Sequence, residues 1–427
     1  MSSRTERPVS KIAATTMFYV LALGAGVMRT LSVAADYVAI GIHETLYPGL
    51  GIDTFVFGFA SQWISFATTF TAVAVLSIRR QHAGAKRPLG FSLDPDFGRL
   101  RILPRKPMMY IALSGFFAGI STSAYYYLIG SEGADTVLPF GQLVIIYLLI
   151  GDLMAEKDTP TIVEIQCIIS ILFGVLIVGV ETEGPGFNLG TLAIVLIPMN
   201  LSSAMTTYYQ KKVKKLEIEP GLAVDTLNLR LWSLLVLNTV FSITAIPMAA
   251  PSAWMTLADI ANALWAPMVA GSLATMFSVV MYVRALARGS MAVVNSLSAI
   301  SVVLGIPVAI ISGLLFPPYL WVDWATLQWI LKIFGVILVI VGIIALEASD
   351  VRTIMIIKVK PETGDLLPQL FAVKGVESVS ALAGEHDYLL SVKSRSLAKT
   401  RKLIVRKLEE IQGVQTINTL VVLKEYR

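Results

Sequence analysis

The stretch "ALAGEHDYLLSVKSRS", Ala381–Ser396, alternates charged and β-forming residues in the rhythm of a half-buried strand. Nearly all of the chain before residue 350 is different, because long apolar runs follow one another there with few charges between them. This change divides the chain into a large apolar region and a small tail with the composition of a soluble domain. Each part therefore requires its own prediction of fold.

The overall composition predicts a membrane protein. The 427 residues are 55% hydrophobic and 15% charged, and the mean hydropathy is +0.72. Soluble domains carry about 25% charged residues, so this chain has few charges for its size. Basic loops beside a lipid membrane explain the formal net charge of +5. We therefore predict membrane lipid, and not nucleic acid, as a partner.

The sequence gives little sign of metal, cofactor or enzyme chemistry. Cys167 is the single cysteine, and His43, His82 and His386 are scattered without the spacing of metal ligands. No Ser/His or paired-aspartate pattern stands out, which disfavours an intramembrane enzyme. We predict a non-enzymatic protein with no catalytic residue, metal or cofactor. The first apolar segment is also too long for a secretory signal.

Ten apolar segments have the length of about 20 residues that a helix needs to cross a bilayer core. The predicted spans are 13–37, 53–78, 107–129, 134–154, 161–180, 190–210, 226–250, 260–285, 291–316 and 325–347.

Loop charges predict the orientation of these spans. Lysines and arginines crowd into alternate connections, most densely at 79–106 and 211–215. Lysine and arginine are missing from the intervening connections, at 43–52, 130–134, 181–189, 251–259 and 317–324. By the positive-inside rule, both termini of a multi-pass cell-membrane protein would then be cytoplasmic.

The apolar region contains an internal similarity. The segment "AYYYLIGSEGADTVLPF" (Ala124–Phe140) matches "MYVRALARGSMAVVNSL" (Met281–Leu297) in pattern, and "FGVLIVGV" (Phe173–Val180) parallels "FGVILVIVGI" (Phe334–Ile343). Two copies of five spans would insert with opposite topology, because five is odd. Inverted repeats are a common plan of transporters, in which the substrate binds at the midplane between the halves.

These features resemble the drug/metabolite transporter superfamily of the EamA type over residues 12–348. The resemblance implies a carrier of small organic solutes, amino acids among them, that often works as an exporter. Members often have a Gly-Glu pair at the end of the fourth helix of a half. Gly151-Asp152 stands there in the first half, whereas Ser312-Gly313-Leu314 offers no acid in the second.

Two charges within the first span are the leading candidates for the substrate path. Arg29 and Asp36 are seven residues apart, which places them on one helix face. A charge in hydrocarbon costs at least about 2.5–3.5 kcal/mol, so each requires a reason. Arg29 could hold a substrate carboxylate. The alternatives are a structural ion pair, or Asp36 at the outer interface.

Prolines interrupt the fourth and ninth spans at matching places. Gln142 follows Pro139 by three residues, and Pro307 follows Gly305 in the other half. Proline frees a backbone carbonyl that must be satisfied or line a cavity, so we assign Pro139, Gln142 and Pro307 to the substrate path. Kinks that serve packing alone are the alternative.

Three further polar residues are assigned to the path. Asn200 lies in the middle of the sixth span, on a polar helix face that could instead join helices. Tyr125 and Tyr282 occupy matched positions of the repeat and could act as gates, or as interfacial anchors. Arg230, near the start of the seventh span, is interpreted as a residue that extends to the cytoplasmic interface.

The tail has the element order of a split βαβ fold. From residue 352 onwards, strand, helix, two strands, helix and strand follow one another, and Ser396 is the predicted N-cap of the second helix. This β-α-β-β-α-β order is typical of ferredoxin-like α+β domains. The predicted domains are 1–12 (N-terminal tail), 13–180 and 190–348 (five-helix all-α repeats) and 352–427 (soluble domain).

The tail resembles the effector module, or RAM domain, of Lrp/AsnC regulators. The resemblance is carried by Gly375-Val376, the turn Gly384–Asp387, and Gly413-Val414 leading to Thr419. It implies amino-acid binding at a homodimer interface, with Gly384, His386, Asp387 and Thr419 as candidate contacts. His386 stands where the family often has tyrosine. The alternative is that Gly384 and Asp387 only make a turn.

Together these predictions describe a membrane transporter, an exporter or exchanger of amino acids or similar small metabolites, regulated by a cytoplasmic amino-acid sensor. The alternative is a membrane-anchored receptor that transports nothing. No DNA-binding helix-turn-helix precedes the tail, which disfavours a transcriptional regulator.

Overall fold

A computed structural model describes most of the chain. The described residues are 11–46, 53–82, 85–132, 140–155, 162–178, 189–219, 221–315, 326–348, 351–361, 364–373, 375–394 and 404–421. The chain divides into two compact units, one a helical unit of residues 18–160 and 168–343. The other unit contains residues 344–427, together with the short segments 1–17 and 161–167.

Helices account for most of the region before residue 350. In chain order they are α1 (Lys11–Leu46), α2 (Thr54–Leu76), α3 (Arg105–Glu132), α4 (Val144–Ala155), α5 (Ile162–Val178), α6 (Leu189–Ile194), α7 (Ser202–Lys214), α8 (Thr226–Met248), α9 (Leu257–Leu286), α10 (Met291–Ser298), α11 (Ile300–Leu315) and α12 (Thr326–Ala348). A π-helical turn, Val195–Leu201, joins α6 to α7. Short antiparallel strands form two hairpins, β1 (Arg79–His82) with β2 (Ala85–Pro88) and β3 (Glu217–Glu219) with β4 (Leu222–Ala223).

Seven helical segments within the described residues are long and apolar enough to cross a membrane. They are Thr16–His43, Thr54–Leu76, Gly190–Lys214, Thr226–Met248, Ala253–Leu286, Met291–Leu315 and Thr326–Ala345. Gly141–Asp152 and Ile165–Ile177 are apolar but shorter. This composition is compatible with a multi-pass membrane protein, whereas the count of ten spans stays a prediction. Helix α1 also runs to Leu46, nine residues beyond the predicted end at 37.

Glycines bring α3 close to α8. A Cβ atom on Gly115 would lie 2.5 Å from the carbonyl oxygen of Ser233, and one on Gly119 would lie 2.6 Å from the Cβ of Val240. The two glycines are four residues apart, the spacing of the small-residue motif by which apolar helices approach closely. Larger side chains at either position would separate two helices that both line the cavity described below.

The glycines of the repeated "FG" pattern meet in the same way. A Cβ on Gly174 of α5 would lie 2.6 Å from the carbonyl oxygen of Gly335 in α12. The Ser170 hydroxyl, one turn earlier, donates a hydrogen bond of 3.4 Å to the carbonyl of Leu338. The two segments that the sequence matches to each other are therefore in direct contact.

The C-terminal domain has the predicted order of elements. It comprises β5 (Val351–Val359), α13 (Leu367–Ala372), β6 (Val376–Ala381), β7 (Tyr388–Ser394), α14 (Arg406–Glu409) and β8 (Val414–Val421). The four strands form one antiparallel sheet in the order β6-β7-β5-β8. Alternate residues of β5 and β7, such as Met355, Ile357, Leu390 and Val392, are buried in its core. The ferredoxin-like prediction is confirmed, and Ser396 lies outside the described residues.

Candidate functional site

A polar cavity of about 320 Å³ lies within the helical unit. Its walls come from α1, α2, α3, α8 and α9, from the turn before α4, and from the π-helical turn and α7. The lining residues are Arg29, Ser32, Asp36, Ser61, Gln62, Ser65, Ser121, Thr122, Tyr125, Tyr126, Gly141, Met199, Asn200, Ser203, Arg230, Met268, Gly271, Ser272 and Thr275. Because most of these side chains are polar, the cavity is a polar space among apolar helices.

Arg29 and Asp36 both line this cavity, as the sequence predicted that they share a face of α1. Seven residues correspond to about 10 Å of rise along the helix. Neither charge forms an ion pair or a hydrogen bond with any described residue. The structural ion pair that we considered for Arg29 and Asp36 is thus not formed between them. Two opposite charges instead face one polar space without a partner among the described residues.

Arg230 of α8 is the third charged residue of the lining. Its Nε is buried and has no hydrogen-bond partner. The interpretation of Arg230 as a residue that extends to the interface was wrong, because its side chain lines the internal cavity. The start of α8 also bonds to the segment before α3. Asp94 accepts a 2.5 Å hydrogen bond from the backbone N–H of Thr226, and the indole of Trp232 donates to the carbonyl of Arg101.

Asn228 adds to these bonds at the first turn of α8. Its amide nitrogen donates to the carbonyl of Arg99 at 2.9 Å, and its amide oxygen accepts from the backbone N–H of Arg101 at 3.1 Å. Asp225 caps the helix by accepting from the Asn228 backbone N–H at 2.8 Å. Burial raises the pKa of the Asp225 carboxyl, against the opposing effect of these Asn228 hydrogen bonds. Arg230 lies in the same turn of α8 as Asn228.

Asn200 lies in the π-helical turn, next to Met199 and two residues after Pro198. Its side-chain nitrogen donates to the carbonyl of Phe140 at 3.0 Å and to that of Val195 at 2.7 Å. The side-chain oxygen is buried and has no partner. Single π-helical turns often mark functional sites, and this one holds an unsatisfied acceptor beside the cavity.

The structure places the other predicted path residues differently. Tyr125 lines the cavity within electrostatic range of both Arg29 and Asp36. Gln142 is buried beside the lining residue Gly141 but is not in the lining itself. Pro307 is exposed in α11 and also stands outside the lining. Pro139 lies outside the described residues.

Tyr282 lies outside the cavity lining, in a group of contacts between α7, α9 and α10. Its hydroxyl donates to the side-chain oxygen of Asn295 at 3.4 Å and is 3.4 Å from the hydroxyl of Thr207. Thr207 is one turn beyond Ser203, which lines the cavity. These contacts therefore continue the polar face of α7 away from the cavity.

One turn further along α7, Lys211 meets Asp152 at the end of α4. The Lys211 Nζ is 3.4 Å from the Asp152 carboxylate, and both side chains are buried. The same carboxylate accepts from the backbone N–H groups of Met291 at 3.1 Å and Ala292 at 2.9 Å, in the first turn of α10. We call Asp152, Lys211 and this first turn the polar latch. It joins α4, α7 and α10 beyond the end of the cavity.

Sequence reasoning missed the cavity residues contributed by α2 and, except for Tyr125, those contributed by α3. Ser61 and Ser65 recur at four-residue spacing in α2, and Ser121 and Tyr125 do the same in α3. Polar residues at helical spacing within an apolar helix place their side chains on one face. That periodicity was a usable signal, because it identifies the polar face of each helix.

The candidate effector residues of the C-terminal domain fall into two groups. Asp387 holds the turn before β7, since its N–H donates to the carbonyl of Ile357 at 3.0 Å and its carboxylate accepts from Val359 N–H at 2.7 Å. Gly384 is exposed in the same turn, and His386 is partly buried with no partner for its Nδ1. Thr419 is exposed on β8, across β5 from this turn.

Replacing Asp387 with alanine should loosen this turn, because the Val359 N–H loses a charged acceptor that is worth about 1.5–3 kcal/mol. Hydrogen exchange measured by mass spectrometry on the full chain should show faster exchange in the peptide that contains Val359. Glu385→Gln, an exposed change in the same turn, should leave this exchange unaltered. Equal protection in Asp387→Ala would show that the carboxylate does not hold the turn.

Comparison with known proteins identifies the C-terminal domain. The Lrp/AsnC ligand binding domain family matches residues 354–427, which makes this part of the chain an Lrp/AsnC ligand-binding domain. Such a domain is consistent with binding of small molecules such as amino acids. The match covers the tail only, and the helical region gives no match to the EamA family. The search of curated proteins gives no match for the chain.

Solved structures share the fold of the chain over a longer stretch. Among 29 matching chains, one described only as a crystal structure of a protein covers 77% of this chain and 96% of its own length. Its TM-score is 0.51 at 11% sequence identity. A match of that length takes in most of the helical region, so the arrangement of these helices also occurs in a crystallised protein.

Proposed function

We propose that the chain is a membrane transporter, an exporter or exchanger of amino acids or similar small metabolites, with a regulatory cytoplasmic amino-acid sensor at its C-terminus. The observation that supports this most directly is the polar cavity with unpaired charges of both signs. An isolated charge in an apolar interior is costly, so charges without protein partners are best explained by a ligand that carries the opposite charges. An amino-acid zwitterion has that property.

The remaining features of the proposal follow from the sequence. Ten spans in two inverted repeats, as in EamA-type carriers, would place the cavity between the halves at the membrane midplane. Basic loops would place both termini in the cytoplasm, and the Lrp/AsnC domain would form a homodimer that binds the effector beside the turn Gly384–Asp387. A sensor regulates transport only if its ligand binds two states of the transporter unequally.

Purified protein in proteoliposomes tests transport directly. We expect counterflow of at least one amino acid across a panel of twenty, above the level of empty vesicles. In parallel, a thermal-shift screen of residues 350–427 should give an amino acid that raises the melting temperature. Flux with no amino acid would contradict the transporter, and a monomeric tail that binds no metabolite would contradict the sensor.

A second function is supported by the C-terminal domain, which is a ligand-binding domain by family match. The chain would then be a membrane-anchored receptor, and the helical unit would serve as its anchor. A ligand for the tail combined with no flux of any amino acid would favour this receptor. The polar cavity argues for transport, because an anchor has no need of unpaired charges in its interior.

A further inference from the structure

The charges of the cavity are unequal in number. Arg29 and Arg230 contribute two guanidinium groups to the lining, and Asp36 contributes one carboxylate. Tyrosine, serine, threonine, glutamine and asparagine supply the other polar groups, which are neutral. When all three groups are ionised, the lining has one net positive charge. A zwitterion with no net charge would leave that positive charge unbalanced.

Low-dielectric surroundings make this difference energetically important. Two unit charges 4 Å apart interact by about 4 kcal/mol at an effective dielectric constant of 20, compared with about 1 kcal/mol in water. No described carboxylate faces Arg230, since its Nε has no partner and Asp36 is the single acid of the described lining. An occupant with one ammonium and two carboxylates would match each of the three charges.

The chemistry of the two arginines suits this occupant. A guanidinium is planar, stays charged, and binds carboxylates with two parallel hydrogen bonds. Arg29 shares a helix face with Asp36, so this pair can bind the α-carboxylate and α-ammonium that every amino acid has. Arg230 comes from a different helix and is left to bind a group that only some amino acids carry.

We propose that the cavity selects amino acids whose side chain carries a second carboxylate, and that Arg230 is the residue that determines this specificity. In the bound state Arg29 holds the α-carboxylate, Asp36 the α-ammonium and Arg230 the side-chain carboxylate. The unsatisfied oxygen of Asn200 offers the ammonium a further acceptor. This assignment rests on the proposed transport function, because it names the class of solute that the same cavity takes.

Glutamate and glutamine provide the sharpest comparison, since they have nearly the same size and differ in one charge. We expect radiolabelled glutamate to exchange at least about tenfold faster than glutamine in proteoliposomes of the wild-type chain. In Arg230→Gln the glutamate rate should fall at least about tenfold while the glutamine rate is kept or rises. Arg230→Lys should retain part of the preference for glutamate. Lysine keeps the positive charge but lacks the planar guanidinium that donates two parallel hydrogen bonds to a carboxylate.

Arg288→Gln is the matched control, because Arg288 is exposed and lies outside the cavity lining. It should leave both rates at the wild-type level. Equal or faster exchange of glutamine by the wild-type chain would overturn the acidic specificity and leave the transport function standing. Exchange of no amino acid would instead overturn the proposed function itself. If Arg230→Gln does not fold, the wild-type comparison and Arg230→Lys still decide the specificity.

Discussion

Replacing Arg29 with methionine should abolish amino-acid exchange in proteoliposomes. Methionine keeps most of the length and apolar volume of the arginine side chain and removes its charge. The substrate carboxylate would then enter the cavity without the cation that binds it. Removing one partner of a buried, hydrogen-bonded charge pair costs about 2–5 kcal/mol, which corresponds to a loss of at least about 30-fold.

Three measurements show whether this loss arises at the cavity. Arg29→Lys should retain measurable exchange, because it keeps the charge. Arg80→Met, a change of the same kind at an exposed position of β1, should exchange like the wild-type chain. Binding of effector to the C-terminal domain should be unaltered in all three variants. Wild-type exchange by Arg29→Met would remove Arg29 from the substrate path.

Replacing Asp152 with asparagine should lower the stability of the helical unit by about 3–5 kcal/mol, because it removes the carboxylate charge from a buried ion pair with Lys211. Asparagine also cannot accept charge-assisted hydrogen bonds from both N–H groups of the first turn of α10. We expect a clear fall in the melting temperature of the purified protein in detergent. The double variant Asp152→Leu/Lys211→Met should recover most of the loss, since it removes both charges together.

The polar latch should also control access to the cavity. In a Cys167→Ser background, Ser203→Cys places a thiol in the cavity lining, one turn before Thr207 on α7. A membrane-impermeant maleimide applied from the side of the latch should label this thiol about tenfold faster when Asp152 is asparagine. Labelling at the wild-type rate from that side would mean that the latch does not close the cavity.

The sequence predicts the parts of this site that depend on residues close together in the chain. It does not predict the parts that depend on residues far apart in the chain. The shared face of Arg29 and Asp36 follows from a spacing within one helix, and the structure places both in the cavity. Arg230 was misinterpreted because the segment that bonds to the start of α8 lies more than a hundred residues earlier in the chain. Nothing in the local pattern around Arg230 shows that Asp94 and Arg101 form hydrogen bonds with the first turns of α8.

The C-terminal domain was easier to predict than the helical region. Alternating strands and turn residues are local signals, and they gave the correct order of six elements, which the family match then supported. Contacts between helices are only weakly indicated by local sequence patterns. The glycine spacing of Gly115 and Gly119 becomes informative only when Ser233 and Val240 are known to face it. A proline inside a predicted helix does not by itself identify a cavity residue. Pro307 lies within α11 but outside the cavity lining.

The close approach of Gly174 to Gly335 has a consequence for the origin of the chain. Under the predicted duplication, these glycines are the same position in two copies, so the contact is one that a five-helix ancestor would have made with a second molecule of itself. Such an ancestor would have assembled as an antiparallel pair, and gene fusion would have made the joint intramolecular. Each copy would then have been free to acquire charges of its own, and Arg29 and Arg230 lie in different predicted copies.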